Sequence, residues 1–133
     1  MSYFCKEPQK DILDSFGKVV IGDVRDGTLQ LSMNIARGET PNAIKLEQYR
    51  VLFDLTDEQR EAVCDLLSEN TTDTIYRFLE MFEEYPDKMK LIIKHDGQEF
   101  DMVQISKKMG SEIACYEDEG WIQRFSKIDR FVL

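Results

Sequence analysis

One histidine, three prolines, seven glycines and three cysteines are spread over 133 residues, and each scarcity closes off a class of protein. With His95 alone there is no HxH, HExxH or HxxxH spacing to hold a metal, and little to complete a serine or cysteine triad. Cys5, Cys64 and Cys115 are odd in number and form no CxxC pair, which points to reduced thiols in a cytoplasmic protein. So few prolines and glycines argue against a linker-rich or low-complexity chain. No stretch approaches the ~20 apolar residues that cross a bilayer, and residues 1–10 lack the apolar run of a signal peptide. Neither GxGxxG nor GxxxxGK[ST] occurs, so no nucleotide loop, metal or other cofactor is expected.

What is present suffices for one domain over residues 1–133. Hydrophobic residues make up 42% and aromatic residues 11% of the chain, enough for a packed core at this length. The formal net charge of −9 argues against binding to nucleic acid or to an anionic membrane surface. Its distribution says more than its total. Residues 1–53 carry 7 basic and 7 acidic side chains, and residues 88–133 carry 8 of each. Residues 54–87 hold 11 acids against only Arg60 and Arg77. The whole excess sits in one quarter of the chain.

Periodicity predicts an α+β fold of about four or five helices followed by a β-hairpin or three-stranded antiparallel sheet. Ile12, Leu13, Phe16, Val19, Val20 and Val24 recur at helical spacing over residues 8–25. Leu29, Leu31, Met33 and Ile35 alternate like a strand, yet Leu29, Met33 and Ala36 fit one helical face. Asp26 or Thr28 as cap and Gly38 as stop favour the helix. Thr40-Pro41 is expected to open a helix running to about Leu52. Thr56 to Gln59 is a capping box, and the helix after it should bury Ala62, Val63, Leu66 and Leu67. A second cap near Asn70 or Thr71 should open another helix with Ile75, Phe78, Leu79 and Phe82 inward, stopped at Tyr85-Pro86. The period then drops to two. Asp96-Gly97 is the preferred type I′ hairpin dipeptide, and it sets His95 opposite Gln98, Lys94 opposite Glu99, Ile93 opposite Phe100 and Leu91 opposite Met102. A third strand is expected over residues 112–116, since two strands alone are marginal. The chain from Trp121 onward reads as a short helix or an irregular aromatic segment.

Carboxylates are the remaining candidates for function. Asp57, Glu61 and Asp65 stand four residues apart, and Asp73, Arg77, Glu80, Glu84 and Asp87 form a second stripe. Such stripes are ordinarily solvated faces, but a dense single-sign patch speeds encounter with a basic partner. The candidate partner-binding residues are therefore Asp57, Glu61, Asp65, Glu80, Glu83, Glu84 and Asp87. Trp121 joins them because tryptophan is frequent at interface hot spots, although it would equally pack on the hairpin with Tyr116 and Phe125. A carboxylate- or metal-dependent enzyme is the alternative, but it needs two carboxylates in a dry pocket, which exposed stripes seldom provide. An accessory protein without a dedicated partner is a further alternative.

Several short segments carry a resemblance. Phe16-Gly17, Val24-Arg25-Asp26, Leu55 to Gln59, Thr74 to Leu79 before Phe82-Glu83, and Glu119-Gly120-Trp121-Ile122-Gln123-Arg124-Phe125-Ser126-Lys127 together resemble small uncharacterised bacterial proteins of about this length. Those end in a similar acidic-Gly-Trp-Ile-x-x-Phe-Ser tail. The alternating residues 29–35 depart from the helix that comes after Arg25-Asp26 in such sequences. Proteins of this size and acidity look like immunity proteins that neutralise toxins, an analogy that transfers no residue roles. It implies a non-catalytic protein-interaction module.

Overall fold

In the computed structural model, which describes residues 3–113 and 120–128, the first three elements run on as one rod. Helix α1 (Tyr3–Lys18) passes through a π-helical turn (Val19–Arg25) into α2 (Asp26–Ala36), with α-region dihedrals at both junctions. Residues 29–35 are thus helical. A π turn takes up one residue more than an α turn, so α2 is rotated by about 100° from its place on a straight helix. That rotation leaves Val24, an expected core residue, 49% exposed and brings in Ile21, Arg25, Leu29 and Met33. Val19 is also outward. Asp26 and Thr28 cap nothing, because the helix does not begin there. Gly38, at φ +73, does close the far end. Its N–H donates to the Ile35 carbonyl at 3.1 Å and the Glu39 N–H to the Asn34 carbonyl at 2.8 Å, the pairing of a Schellman motif.

Helix α3 (Ala43–Gln48) is capped by Asn42 rather than Thr40; the Asn42 side chain accepts from the N–H groups of Ile44 and Lys45. The expected continuation to Leu52 tightens into a 3-10 turn (Arg50–Asp54). Arg60 donates to the Phe53 and Leu55 carbonyls at 3.0 and 3.1 Å, which satisfies the end of that turn. The capping box is present: the Gln59 N–H donates to Thr56 Oγ1, and the Thr56 N–H donates to Gln59 Oε1. The helix it opens, α4 (Asp57–Glu84), runs unbroken for 28 residues, about 42 Å. The second cap expected near Asn70 or Thr71 is absent for a local reason. The Thr71 and Thr74 hydroxyls donate one turn back, to the Leu67 and Asn70 carbonyls at 2.7 and 2.8 Å, so they bond within the helix instead of ending it.

Merging two expected helices into one fixes a single inward azimuth. Cys64, Leu79 and Phe82 are buried on it, with Leu67 and Ile75 packed alongside. Leu66 stands two residues from Cys64, about 200° round the helix. It is 67% exposed, and Phe78 is 56% exposed. The sequence pattern places both inside, as it does Ala62, which is exposed too.

The hairpin forms as its sequence predicts. Strands β1 (Ile92–His95) and β2 (Gln98–Asp101) pair antiparallel, with Ile93 opposite Phe100, Lys94 opposite Glu99 and His95 opposite Gln98. Asp96 and Gly97 both have positive φ, 51° and 76°, as a type I′ turn requires. The Met102 N–H donates to the Leu91 carbonyl at 2.9 Å, extending the pairing by one step. The strand stops there because Asp101 caps the next element, accepting from the Val103 N–H at 3.1 Å and opening α5 (Met102–Ile105). The expected third strand is not seen. Residues 109–113 form α6 (Met109–Ile113), and residues 114–116 lie outside the described residues. Last comes α7 (Trp121–Phe125), so the architecture is a mostly helical α+β fold with one two-stranded sheet.

Two apolar clusters hold these elements. The larger gathers Ile12, Val20, Ile21, Leu79, Phe82, Met102, Met109, Ile113 and Trp121; the smaller gathers Leu29, Met33 and Cys64, with Leu67 and Ile128 against it. Trp121 is 1% exposed and meets Phe16 edge-to-face at 5.8 Å. Its indole fills the notch left by Gly17, where an added Cβ would lie 2.6 Å from the ring. A Cβ added at Gly27 would meet nothing within 4 Å. The two glycines should therefore respond with opposite signs. Gly27→Ala should stabilise by about 0.4–1 kcal/mol through chain entropy and helix propensity, and Gly17→Ala should destabilise by about 1–3 kcal/mol through overpacking. Urea denaturation of the two variants beside the parent checks both, and a stabilised Gly17→Ala would remove Trp121 from the notch.

Candidate functional site

Most of the acids of α4 face solvent. Asp57, Glu61, Asp65, Glu69, Asp73 and Glu84 are exposed, and Glu80 and Glu83 are half-buried. Because α4 is one helix, the two expected stripes join. A step of four residues overshoots a turn by about 40°, so the line from Asp57 winds round the helix until Asp73, Glu80 and Glu84 share its outer side. Leu66 lies on that same outer side, an exposed apolar residue among acids. Asp87 comes after the helix, exposed, in the turn before the hairpin. Glu83 differs from the rest. Its Oε1 is out of contact with solvent and has no hydrogen-bond partner among the described residues.

Two of these carboxyls interact. Glu84 has its proton affinity raised, first by a side-chain hydrogen bond with Glu80 and then by the Glu80 charge, while Arg77 pulls the other way. A carboxyl whose proton affinity is raised by a second one beside it is a feature an acid/base pair would use. Here the pair stands in open water on a helix surface, where no dry pocket sharpens it. His95 lies at the hairpin turn with Nε2 3.4 Å from Asp96 Oδ2, and both side chains are well exposed. Among the described residues no three histidine, cysteine or carboxylate side chains converge as a metal would need.

Trp121 is not on this surface. Buried against Phe16 and Gly17, it offers no ring to a partner and serves the core. Its neighbour Phe125 does lie close by, under the Arg124 guanidinium at 4.6 Å. Arg124 in turn forms a two-pronged ion pair with Asp14 at 3.0 and 2.9 Å, tying α7 to α1. Tyr116 lies outside the described residues.

A buried polar cluster is invisible to periodicity. Arg25 and Asp26 are 7% and 6% exposed. The Arg25 guanidinium donates from Nη1 to Asp26 Oδ1 at 3.0 Å and to Ser126 Oγ at 3.4 Å, from Nε to Thr72 Oγ1 at 3.1 Å, and from Nη2 to Ser68 Oγ at 3.2 Å. Asp26 accepts from Ser126 Oγ at 2.9 Å and from the Lys127 N–H at 2.7 Å. Two segments about a hundred residues apart, Arg25-Asp26 and Ser126-Lys127, are thus held together, with α4 as the third wall. The available signal was an Arg-Asp pair inside an otherwise amphipathic helix. Only the π turn reveals which way it faces.

No protein family, curated protein or solved structure matches this chain, and no helix among the described residues is long and apolar enough to cross a membrane.

The buried cluster can be tested by subtraction. Asp26→Ala leaves a buried guanidinium without its counter-charge and should destabilise by about 3–5 kcal/mol, whereas Ser126→Ala should cost about 1–2 kcal/mol. Arg25→Met together with Asp26→Ala should be much less damaging than the two losses added, as a double-mutant cycle in urea would show. The surface pair is tested by titration. The Glu84 carboxyl resonance should titrate above the ordinary carboxylate range and return to it in Glu80→Gln. Since the folded value lies above the unfolded one, the strain is absent below the unfolded pKa and grows as pH rises through the folded pKa. Glu80→Gln should therefore flatten that part of the stability–pH curve.

Proposed function

We propose that this chain is a non-catalytic protein-interaction module, an immunity-type or regulatory binder that presents the acidic outer side of α4 to a basic protein partner in the cytoplasm. The observation that supports this most is charge placement. Nine acids and two arginines ride on α4, while residues 1–53 and 88–133 are each balanced. Like charges so concentrated repel one another in the free protein and are relieved by a cationic partner. Leu66 in their midst supplies the apolar anchor that interfaces place among charged rims.

The test reverses exposed acids that carry no inward contact. Asp65, Asp73 and Glu84 changed to lysine should leave the fold intact, each within about 0.5 kcal/mol. Association with proteins recovered on the parent from source lysate should slow tenfold or more at low salt, with the gap closing as salt rises. Leu66→Ser should instead speed dissociation and be insensitive to salt. Equal rates for parent and triple-lysine variant at low salt would reduce the acidic side to a solvated surface.

A further inference from the structure

A groove of about 350 Å³ lies where α4 ends against the hairpin, lined by Phe82, Pro86, Asp87, Met89, Lys90, Asp101, Val103 and Gln104. Four of these are apolar and form walls contributed by the end of α4, the turn after it and the start of α5. Two are carboxylates, one on each side of the chain reversal made by the hairpin. Asp101 uses Oδ1 to accept from the Val103 N–H, and its second oxygen takes no part in that cap. Asp87 is exposed at the end of the acid-rich stretch that also holds Glu80, Glu83 and Glu84. Lys90 offsets one charge, so the lining remains net acidic.

We propose that this groove receives an arginine side chain of the basic partner, an inference that rests on the reading of α4 as an acidic docking face and names the point where the partner is gripped. Arginine fits the combination better than lysine. Its guanidinium is weakly hydrated, lies flat on aromatic and apolar walls, and presents donors in a fork to carboxylates on two sides. Phe82, Met89 and Val103 supply the walls, and Asp87 and Asp101 supply the acceptors. An uncharged isostere would forgo the charge attraction of both acids, and a purely apolar side chain would leave both carboxylates desolvated without a partner. The ammonium of Lys90 competes with the incoming cation. Removing it should strengthen binding, the opposite sign to removing either acid.

The probe is a capped heptapeptide with a central arginine between two leucines and a lysine at each end, compared with the same peptide carrying citrulline at the centre. Titrated into the isotopically labelled chain, the arginine peptide should shift the amides of Phe82, Asp87, Met89, Asp101 and Val103 saturably, and the citrulline peptide should bind at least tenfold more weakly. Asp87→Asn or Asp101→Asn should weaken the arginine peptide tenfold or so, and Lys90→Gln should tighten it a few-fold. Asparagine caps a helix as well as aspartate does, so Asp101→Asn changes charge without unseating α5. Shifts confined to Asp65, Asp73 and Glu84 would overturn the groove while leaving the acidic docking face standing. Equal binding of the citrulline peptide would overturn the arginine assignment. No shift at all with either peptide, up to millimolar concentration at low salt, would overturn the groove and the docking face together.

Discussion

The guanidinium of Arg25 sits where a straight helix would have carried a valine, between the two apolar clusters on each of the three segments that meet there. It falls between Ile21 and Leu29 on the rod; Ser68 and Thr72 fall between Cys64 and Leu79 on α4; Ser126 falls between Trp121 and Ile128. The bonds from Arg25 to Asp26, Ser126, Thr72 and Ser68 thus cross-link the rod, α4 and the closing segment at one level. A buried ion pair of this kind does not by itself imply large net stability, since desolvation offsets much of the attraction. Its strength is in specifying geometry. The guanidinium fork has acceptors in several directions, and a slip of one residue in the π turn would put Val24 in its place and leave Asp26 without the Lys127 N–H. Turn and cluster require each other.

That dependence explains which parts of the fold could be read from residues alone. The capping box at Thr56, the Schellman closure at Gly38 and the Asp96-Gly97 turn are decided by atoms within a few residues, and each stands as local chemistry dictates. The π turn is decided by partners as far away as Ser126, and no local pattern announces it. Thr71 and Thr74 are a case of chemistry with two outcomes. A threonine hydroxyl caps a helix or bonds back one turn within it, and packing of Cys64, Leu79 and Phe82 on one continuous azimuth selects the second. Once α4 is continuous, Leu66 falls off the inner face. At the start of the expected third strand the described residues are helical for a similar reason: Met109 and Ile113, four residues apart, reach the large cluster from a helical turn.

The short segments Phe16-Gly17, Arg25-Asp26 and Trp121 to Lys127 take on a physical meaning in the fold. Phe16-Gly17 forms the edge and the notch into which Trp121 fits. Arg25-Asp26 binds Ser126 and Lys127. These segments pair with one another across the fold and fasten the closing segment to the rod. Trp121 illustrates the strength of shape here. Its indole Nε1 finds no acceptor among the described residues, yet the ring is almost fully buried, held by the fit to Gly17 and by Phe16. The acidic segment, by contrast, was legible by counting charges, whereas the groove was not. Its walls come from residues 82–90 and 101–104, brought together only when the hairpin folds back on the end of α4.

Most of the surface charge and most of the packing are drawn from different residues of the same helix. The inner side of α4 is anchored by apolar side chains and by the neutral hydroxyls of Ser68 and Thr72. The buried Arg25 is neutralised by Asp26 from its own rod, and no α4 carboxylate is spent on it. Of the two arginines in the acidic quarter, Arg60 is committed to the Phe53 and Leu55 carbonyls, and Arg77 stands beside Glu80 and Glu84 without cancelling their mutual repulsion. The buried cluster therefore draws no counter-charge from the acids of α4. A helix built this way can change its surface charge with little consequence for the fold beneath.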